Sequence, residues 1–149
     1  MICLRLIDQN NWEECIKLKL KQEQQDFIAS NLYSIAESKI FPHLKIKSIY
    51  FSEELVGFAM YGIDSDDGNY WIYRFMIDER FQGRGYGKSA MKLIIQDIAN
   101  SNDCTDVIWL GYQPENEQGR RLYASVGFEE VGIAPWGEML AKFSFPSGN

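Results

Sequence analysis

Residues 80–89 read RFQGRGYGKS, with glycines at 83, 85 and 87. Such a run suits neither the interior of a helix nor that of a strand, where each glycine costs ~0.5–1 kcal/mol relative to alanine. It punctuates the chain, and its flanks define what it separates. Residues 70–77, YWIYRFMI, have strand composition. Downstream, AMKLIIQDIA places Met91, Ile94, Ile95 and Ile98 at helical spacing, with Lys92, Gln96 and Asp97 on the opposite face. The glycines therefore join the end of a strand to the start of an amphipathic helix. Amides in the first turn of a helix have no helical acceptor, and the helix dipole adds partial positive charge, so the junction attracts an anion such as a pyrophosphate. Glycine lets backbone approach such a group closely, and Arg84 and Lys88 add cations that reach phosphate oxygens. A tight turn without a ligand is the alternative that spacing alone leaves open.

The surrounding elements narrow the choice. Residues 2–7 form a short strand, and Asn10 or Asn11 then caps a helix with Trp12, Cys15, Ile16 and Leu20 on one stripe. A second helix starts near Ser30 or Asn31, with Leu32, Ile35 and Ala36 inward and Tyr33 and Glu37 on a neighbouring face. Residues 46–51, 55–63 and 70–77 read as an antiparallel meander, with turns at 52–54 and 64–69. Beyond the loop, the apolar run 107–112 reads as a doubly covered central strand. A helix follows with Asn116 as N-cap, Gly127 just past its end and Phe128 after it. Residues 139–145 form the last strand, with Met139, Ala141, Phe143 and Phe145 on one face. A glycine loop that follows a meander is not the dinucleotide fingerprint of a parallel βαβ unit, and GRGYGKS is too short for a P-loop.

Composition bounds the function. The 149 residues suit one domain spanning 1–149, and 46% hydrophobic content suits a packed core. The net charge of −6 disfavours nucleic acid and is permissive for a cationic small molecule. No apolar run or basic leader suggests a membrane span or secretion signal, so a cytoplasmic protein is expected. Cys3, Cys15 and Cys104 lack the spacing of a metal or disulfide framework, and the single histidine, His43, has no partner; no metal is expected.

Gln82-Gly83-Arg84-Gly85-Tyr86-Gly87 resembles the pyrophosphate loop of the GNAT superfamily of N-acetyltransferases, written Q/R-x-x-G-x-G/A. Asn116 and Tyr123, in NEQGRRLYASVGF, match the superfamily's second signature. RFMIDERFQGRGYGKSAMK, YQPENEQGRRLYASVGF and QDFIASNLYSIAES at 25–38 are most similar to the bacterial spermine/spermidine acetyltransferases. The resemblance covers nearly the whole chain. It implies an α/β (α+β) fold: a single domain with a mostly antiparallel, twisted mixed sheet flanked by helices, splayed in a V between strands 70–77 and 107–112. Acetyl-CoA would lie in that splay as co-substrate. The backbone of Phe75, Met76 and Ile77 would pair with its pantetheine arm, and residues Gln82 through Lys88 and Asn116 would complete its site. These small domains are often dimers, so a homodimer is possible.

Tyr123 follows Asn116 by seven residues, which on a helix puts the two within ~20° of one direction and about 10 Å apart. If Asn116 meets the cofactor arm, Tyr123 lies near the thioester and can give a proton to the departing thiolate. Packing beside Leu122 and Val126 is the plainer alternative. The reaction implied is direct attack of an amine on the thioester, the oxyanion steadied by a backbone amide near Met76 or Ile77. An alkylamine with a pKa of ~10.4 is neutral at pH 7 in about one molecule in 2,500, a cost of about 4.6 kcal/mol. Glu37 and Glu79 are the carboxylates at hand, though each reads first as a solvated surface residue. The acceptor pocket is expected from about Gln25–Glu37 and Ala134–Glu138, with Tyr33, Glu37 and Trp136 offering a carboxylate and aromatic faces to ammonium groups. The run GIAPWGEMLAKF is less acidic than expected of a dedicated polyamine site, which leaves the exact amine open. Another acceptor amine, or a non-catalytic acetyl-CoA-binding module with no use for Tyr123, remain as alternatives.

Overall fold

The computed structural model describes residues 1–22 and 30–146. In chain order the elements are β1 (Ile2–Leu6), α1 (Trp12–Lys17), α2 (Asn31–Ile40), β2 (Lys45–Phe51), β3 (Glu54–Ile63), β4 (Tyr70–Ile77), α3 (Tyr86–Ala99), β5 (Val107–Tyr112), α4 (Glu117–Ser125), β6 (Glu129–Ile133) and β7 (Met139–Ser144). A single 3₁₀ turn, Glu79–Phe81, precedes the glycine loop. The strands form one seven-stranded sheet in the order β1-β2-β3-β4-β5-β7-β6. Its pairs are antiparallel except β4 with β5, which is parallel, as the α+β expectation requires.

Two cores flank the sheet. On one face α3 buries Ala90, Met91, Ile94 and Ile98 against Tyr61, Tyr70, Ile108 and Leu110, with Leu122 and Tyr123 of α4 beside them. On the other, Cys15, Leu18 and Ile35 pack over Phe58, Met60 and Met76. Met139, Ala141, Phe143 and Phe145 all join the first core, as their alternation predicts.

Two features of β4 position the site. In its register with β3, Arg74 faces Met60 and Ile72 faces Tyr61, which leaves Tyr73 as the extra residue of a bulge. The bulge shifts the alternation by one: Tyr70 and Ile72, then Phe75 and Ile77, face the α3 core, whereas Tyr73 and Met76 face the other. On its far side β4 pairs with β5 only at Tyr70–Ile108, Trp71–Trp109 and Ile72–Leu110. The strands then diverge, with Tyr73 to Ile77 still to run on β4 and Gly111 and Tyr112 on β5. This is the expected splay.

Several local expectations are corrected. α1 stops at Lys17, short of Leu20, and Trp12 is partly exposed. Asn11 holds the N-cap position without a side-chain cap: its Oδ1 accepts from Asp8 N at 2.9 Å, and its Nδ2 donates to Leu6 O and to the Tyr50 hydroxyl. On α2 the buried residues are Asn31 and Ser34, while Leu32 and Ala36 face out. Asn31 Nδ2 donates to Cys15 O at 2.8 Å and Ser34 Oγ to Ser30 O at 3.1 Å, so satisfied polar groups let the helix pack closely where an apolar stripe was expected. β5 is fully buried on alternate residues only, Ile108, Leu110 and Tyr112. β6 escaped the sequence reading because EEVGI is a mostly exposed edge strand without apolar alternation.

Candidate functional site

The glycine loop sits at the mouth of the splay. Gly83 has φ +80° and Gly85 +81°, left-handed values that side chains resist, and an added Cβ at either would meet nothing within 4 Å. The space beside them is open. The first bond into α3 runs from Ser89 N to Gly85 O at 3.3 Å, so the amides of Tyr86, Gly87 and Lys88 come before any helical acceptor. Gly87 differs: a Cβ there would lie 3.5 Å from Leu122 Cδ2 and 3.7 Å from Ile77 Cγ1, in ordinary contact. A methyl would fit there between Leu122 and Ile77.

From the loop a cavity of about 250 Å³ runs between β4 and α4. Of the residues expected from the sequence, Phe75, Met76, Ile77, Gln82, Gly83, Gly85, Tyr86, Gly87, Lys88, Asn116 and Tyr123 line it. Arg84 does not; its exposed guanidinium lies 5.6 Å from the centre of the Phe81 ring. Leu20, Phe81, Gln118, Gly119 and Leu122 also line the cavity and were not read from the sequence, Leu20 because it lies outside helix and strand and carries no motif. Gln82 Nε2 donates to Ile77 O at 2.8 Å and closes the end of β4 onto the loop.

Asn116 Oδ1 accepts from Gly119 N at 3.0 Å, the N-cap its position predicted. Tyr123 lies on the same helix, its ring 5.4 Å from that of Tyr112 and 6.1 Å from that of Phe128. Its hydroxyl hydrogen-bonds to none of the described residues. Burial, and then the neighbouring Tyr112, push its pKa above the ordinary tyrosine value, so it is protonated at neutral pH. Tyr112 is held in turn by its hydroxyl donating to Glu130, which pairs with Arg120.

Beyond Tyr123 a second cavity shares Phe75, Asn116 and Tyr123 with the first. This neck of about 80 Å³ is lined by Tyr73, Arg74, Phe75, Leu110, Tyr112, Asn116 and Tyr123, among others. It shares Ile72, Tyr73, Arg74, Gly111 and Glu138 with a wider cavity of about 400 Å³ that adds Asp64, Asp66, Asp67, Trp71 and Trp136. Trp136 is thus brought to this third cavity, its indole N–H donating to Glu138 Oε1 at 2.6 Å. Glu37 is near it, 3.5 Å from Arg74 Nη2. Tyr33 lines neither cavity and is exposed on α2. Glu79 is exposed at the loop side, its amide donating to Lys19 O at 2.7 Å. The expected segment from Gln25 lies outside the described residues as far as Ala29.

A sheet splayed beside a glycine loop, with a tyrosine between two cavities, defines a class, and the comparisons agree. Residues 7–128 match the acetyltransferase (GNAT) family, and the chain belongs to that family. It is 34% identical over 137 residues to the spermine/spermidine N(1)-acetyltransferase of Bacillus subtilis strain 168, covering 88% of this chain and 90% of that one. A probable spermine N(1)-acetyltransferase of B. subtilis subsp. natto is 32% identical with the same coverage. Among solved structures, aminoglycoside acetyltransferase AAC(6′)-Ib in complex with coenzyme A superposes with a TM-score of 0.80 at 16% identity, over 97% of this chain and 95% of that one. The PaiA N-acetyltransferase of Thermoplasma acidophilum in complex with coenzyme A gives 0.72 at 15% identity, over 97% and 99%. These two share its fold.

Proposed function

We propose that the enzyme transfers the acetyl group of acetyl-CoA directly to a primary amine of a spermine- or spermidine-like polyamine. The observation that carries this is a row of three cavities with shared walls: an anion-suited glycine loop beside the first, Tyr123 on the wall common to the first and second, and an acidic, aromatic lining in the third. Acetyl-CoA would place its pyrophosphate at the amides of Tyr86 to Lys88 and its arm along Phe75 to Ile77, where β4 has no strand partner on the β5 side. The amine enters from the acidic side, and its nitrogen forms a bond to the thioester carbon. The C–S bond breaks, and the sulfur leaves as thiolate.

Tyr123 donates a hydrogen bond to that sulfur and then its proton, recovering one from solvent. A thiol of pKa near that of free cysteine, about 8.5, is a stronger acid than a tyrosine raised above ~10. Transfer stays uphill even to the fully charged thiolate, so the hydrogen bond carries most of the stabilisation and the proton moves late, its replacement coming from solvent. The attacking nitrogen loses its own proton toward the solvent-open acidic cavity. The names of the two Bacillus relatives support the polyamine, as does the excess of carboxylates on the acceptor side.

The test is a turnover screen with acetyl-CoA and spermine, spermidine, lysine analogues and aminoglycosides, read by thiol release, in wild type and Tyr123→Phe. Spermidine or spermine should be the best acceptors, and the variant should lose kcat by ~10²-fold or more. No polyamine turnover would overturn the acceptor, and unchanged kcat in Tyr123→Phe would overturn the acid.

A further inference from the structure

The wide cavity on the acceptor side has a charge balance that acetyl transfer to a simple amine does not need. Asp64, Asp66, Asp67 and Glu138 face it against one cation, Arg74, whose guanidinium is already 3.5 Å from Glu37. None of the four carboxylates has an ion-pair partner among the described residues. Neutral donors hold three of them. Asp64 uses Oδ1 to accept Asp66 N within the β3–β4 turn and Oδ2 to accept the Tyr73 hydroxyl at 2.9 Å. Asp67 divides its oxygens in the same way, Oδ1 accepting Asn69 N and Oδ2 accepting the Trp71 indole N–H at 2.8 Å. Glu138 takes the indole N–H of Trp136. The turn needs one oxygen of each aspartate, and an aromatic donor fixes the other, so the carboxylates are oriented while their charge stays uncompensated.

Their placement adds a length. Along β4, Trp71 to Phe75 spans about 13 Å at ~3.3 Å per residue. Phe75 stands at the Tyr123 end of the row of cavities and Trp71 at the acidic end. A monoamine held at Tyr123 does not reach Asp64 or Asp67, whereas an extended di- or triamine does, passing Glu138 in the neck on the way.

We infer that Asp64, Asp67 and Glu138, with Trp71 and Trp136, are specificity-determining residues that hold the distal, non-reacting ammonium of an elongated polyamine while its other end reacts at Tyr123. The inference rests on the acetyl-transfer reading and names the part of that site which selects the acceptor.

The experiment measures kcat/KM for spermidine and for n-butylamine at saturating acetyl-CoA in wild type, Asp67→Asn, Glu138→Gln and the double variant. The expected result is a fall of tenfold or more in the spermidine-to-butylamine ratio of the double variant, carried by KM for spermidine and reduced by added salt. Glu138→Gln leaves the β3–β4 turn untouched, so a fall in its ratio does not arise from loss of the turn; melting curves check all three. A ratio equal to wild type in every folded variant overturns the subsite. If wild type acetylates neither amine, the acetyl-transfer reading has failed, and calorimetric titration with spermidine decides the subsite: weaker binding in the double variant supports it, and equal binding overturns it.

Discussion

Two glycines two residues apart should respond to substitution with opposite sign. Gly85 sits at φ +81° before α3, and an L-residue there takes a left-handed conformation at a cost of ~1–2 kcal/mol. For a domain of this length each kcal/mol moves Tm by ~2–4 °C, so Gly85→Ala should melt about 2–8 °C below wild type. Gly87 lies within the first turn of α3, and a methyl there would be in ordinary contact with Leu122 and Ile77. Gly87→Ala removes unfolded-state freedom worth ~0.5–1 kcal/mol and should raise Tm by about 1–4 °C. Gly85→Asp adds charge to strain. Its carboxylate would occupy the open side of the loop, and two unit charges ~5 Å apart repel by about 0.8 kcal/mol in bulk water and about 3 kcal/mol at an effective dielectric of 20. A tenfold change in affinity is 1.4 kcal/mol, so acetyl-CoA binding should weaken by about fourfold to 150-fold. The assays are circular-dichroism melts and calorimetric titration at 25 °C, where a loss of ~1–2 kcal/mol from the usual 5–15 leaves the domain folded. Wild-type affinity in folded Gly85→Asp would refute the pyrophosphate assignment. A rise in Tm for Gly85→Ala would refute the strain.

Other perturbations read other parts of the fold. Asn116→Ala removes the acceptor for Gly119 N at 3.0 Å and should cost ~1 kcal/mol, seen as a Tm lower by about 2–4 °C. Asp78 is 2% exposed and accepts from Lys19 N at 2.9 Å and from Arg80 N and Nε at 3.0 and 2.8 Å. Asp78→Ala takes the acceptor from three partly buried donors and should cost ~1–3 kcal/mol in urea unfolding at constant slope. Alkali should weaken the fold through groups whose folded pKa is raised. Burial, then Glu14, push the Cys15 thiol from 9.0 up to about 12, and burial, then Glu130, push Tyr112 from 10.0 up to about 12. The folded state holds these protons while the unfolded chain sheds them, so this stability is intact below pH 9 and should fall as pH rises from 9 to 12. Melting temperatures across that range check it; a flat profile would contradict the burial of both groups.

The cofactor half of the site was legible because its determinants are local in sequence. A glycine loop between a strand and an amphipathic helix, and an asparagine seven residues before a tyrosine, carry their geometry in their spacing, and most of those residues line one cavity. The acceptor half was not legible, because its residues meet only in the folded sheet. DSDDGN at 64–69 is a turn by composition and is a turn, yet Asp64 and Asp67 each also accept from an aromatic donor of β4 and line a cavity shared with Glu138, more than 70 residues away. On the proposed reading, the run around Glu138 is poor in acid because the β3–β4 turn supplies the other carboxylates of the cavity. Similarly, α2 presents Asn31 and Ser34 inward, a face that hydrophobic periodicity cannot reveal because hydrogen bonds satisfy it.

The bulge at Tyr73 explains how one strand serves both halves. In an unbroken strand, residues two apart keep to one face throughout. Here Trp71 and Tyr73 look into the acidic cavity, while past the bulge Phe75 and Ile77 return to the α3 side and line the cofactor cavity. Parallel pairing with β5 ends at Ile72, one residue before the bulge, so the backbone is released from its neighbour at the point where the alternation shifts. The opening between β4 and β5 and the change of face therefore coincide, at the cavity that Tyr123 of α4 lines. Deleting Tyr73 would restore an unbroken alternation with Trp71 still opposite the α3 core, but it would remove the hydroxyl that Asp64 Oδ2 accepts and draw the acidic turn ~3.3 Å along the strand, out of line with Tyr123. Removing the bulge should thus abolish acetyl transfer even where a glycine loop intact in sequence still binds coenzyme A.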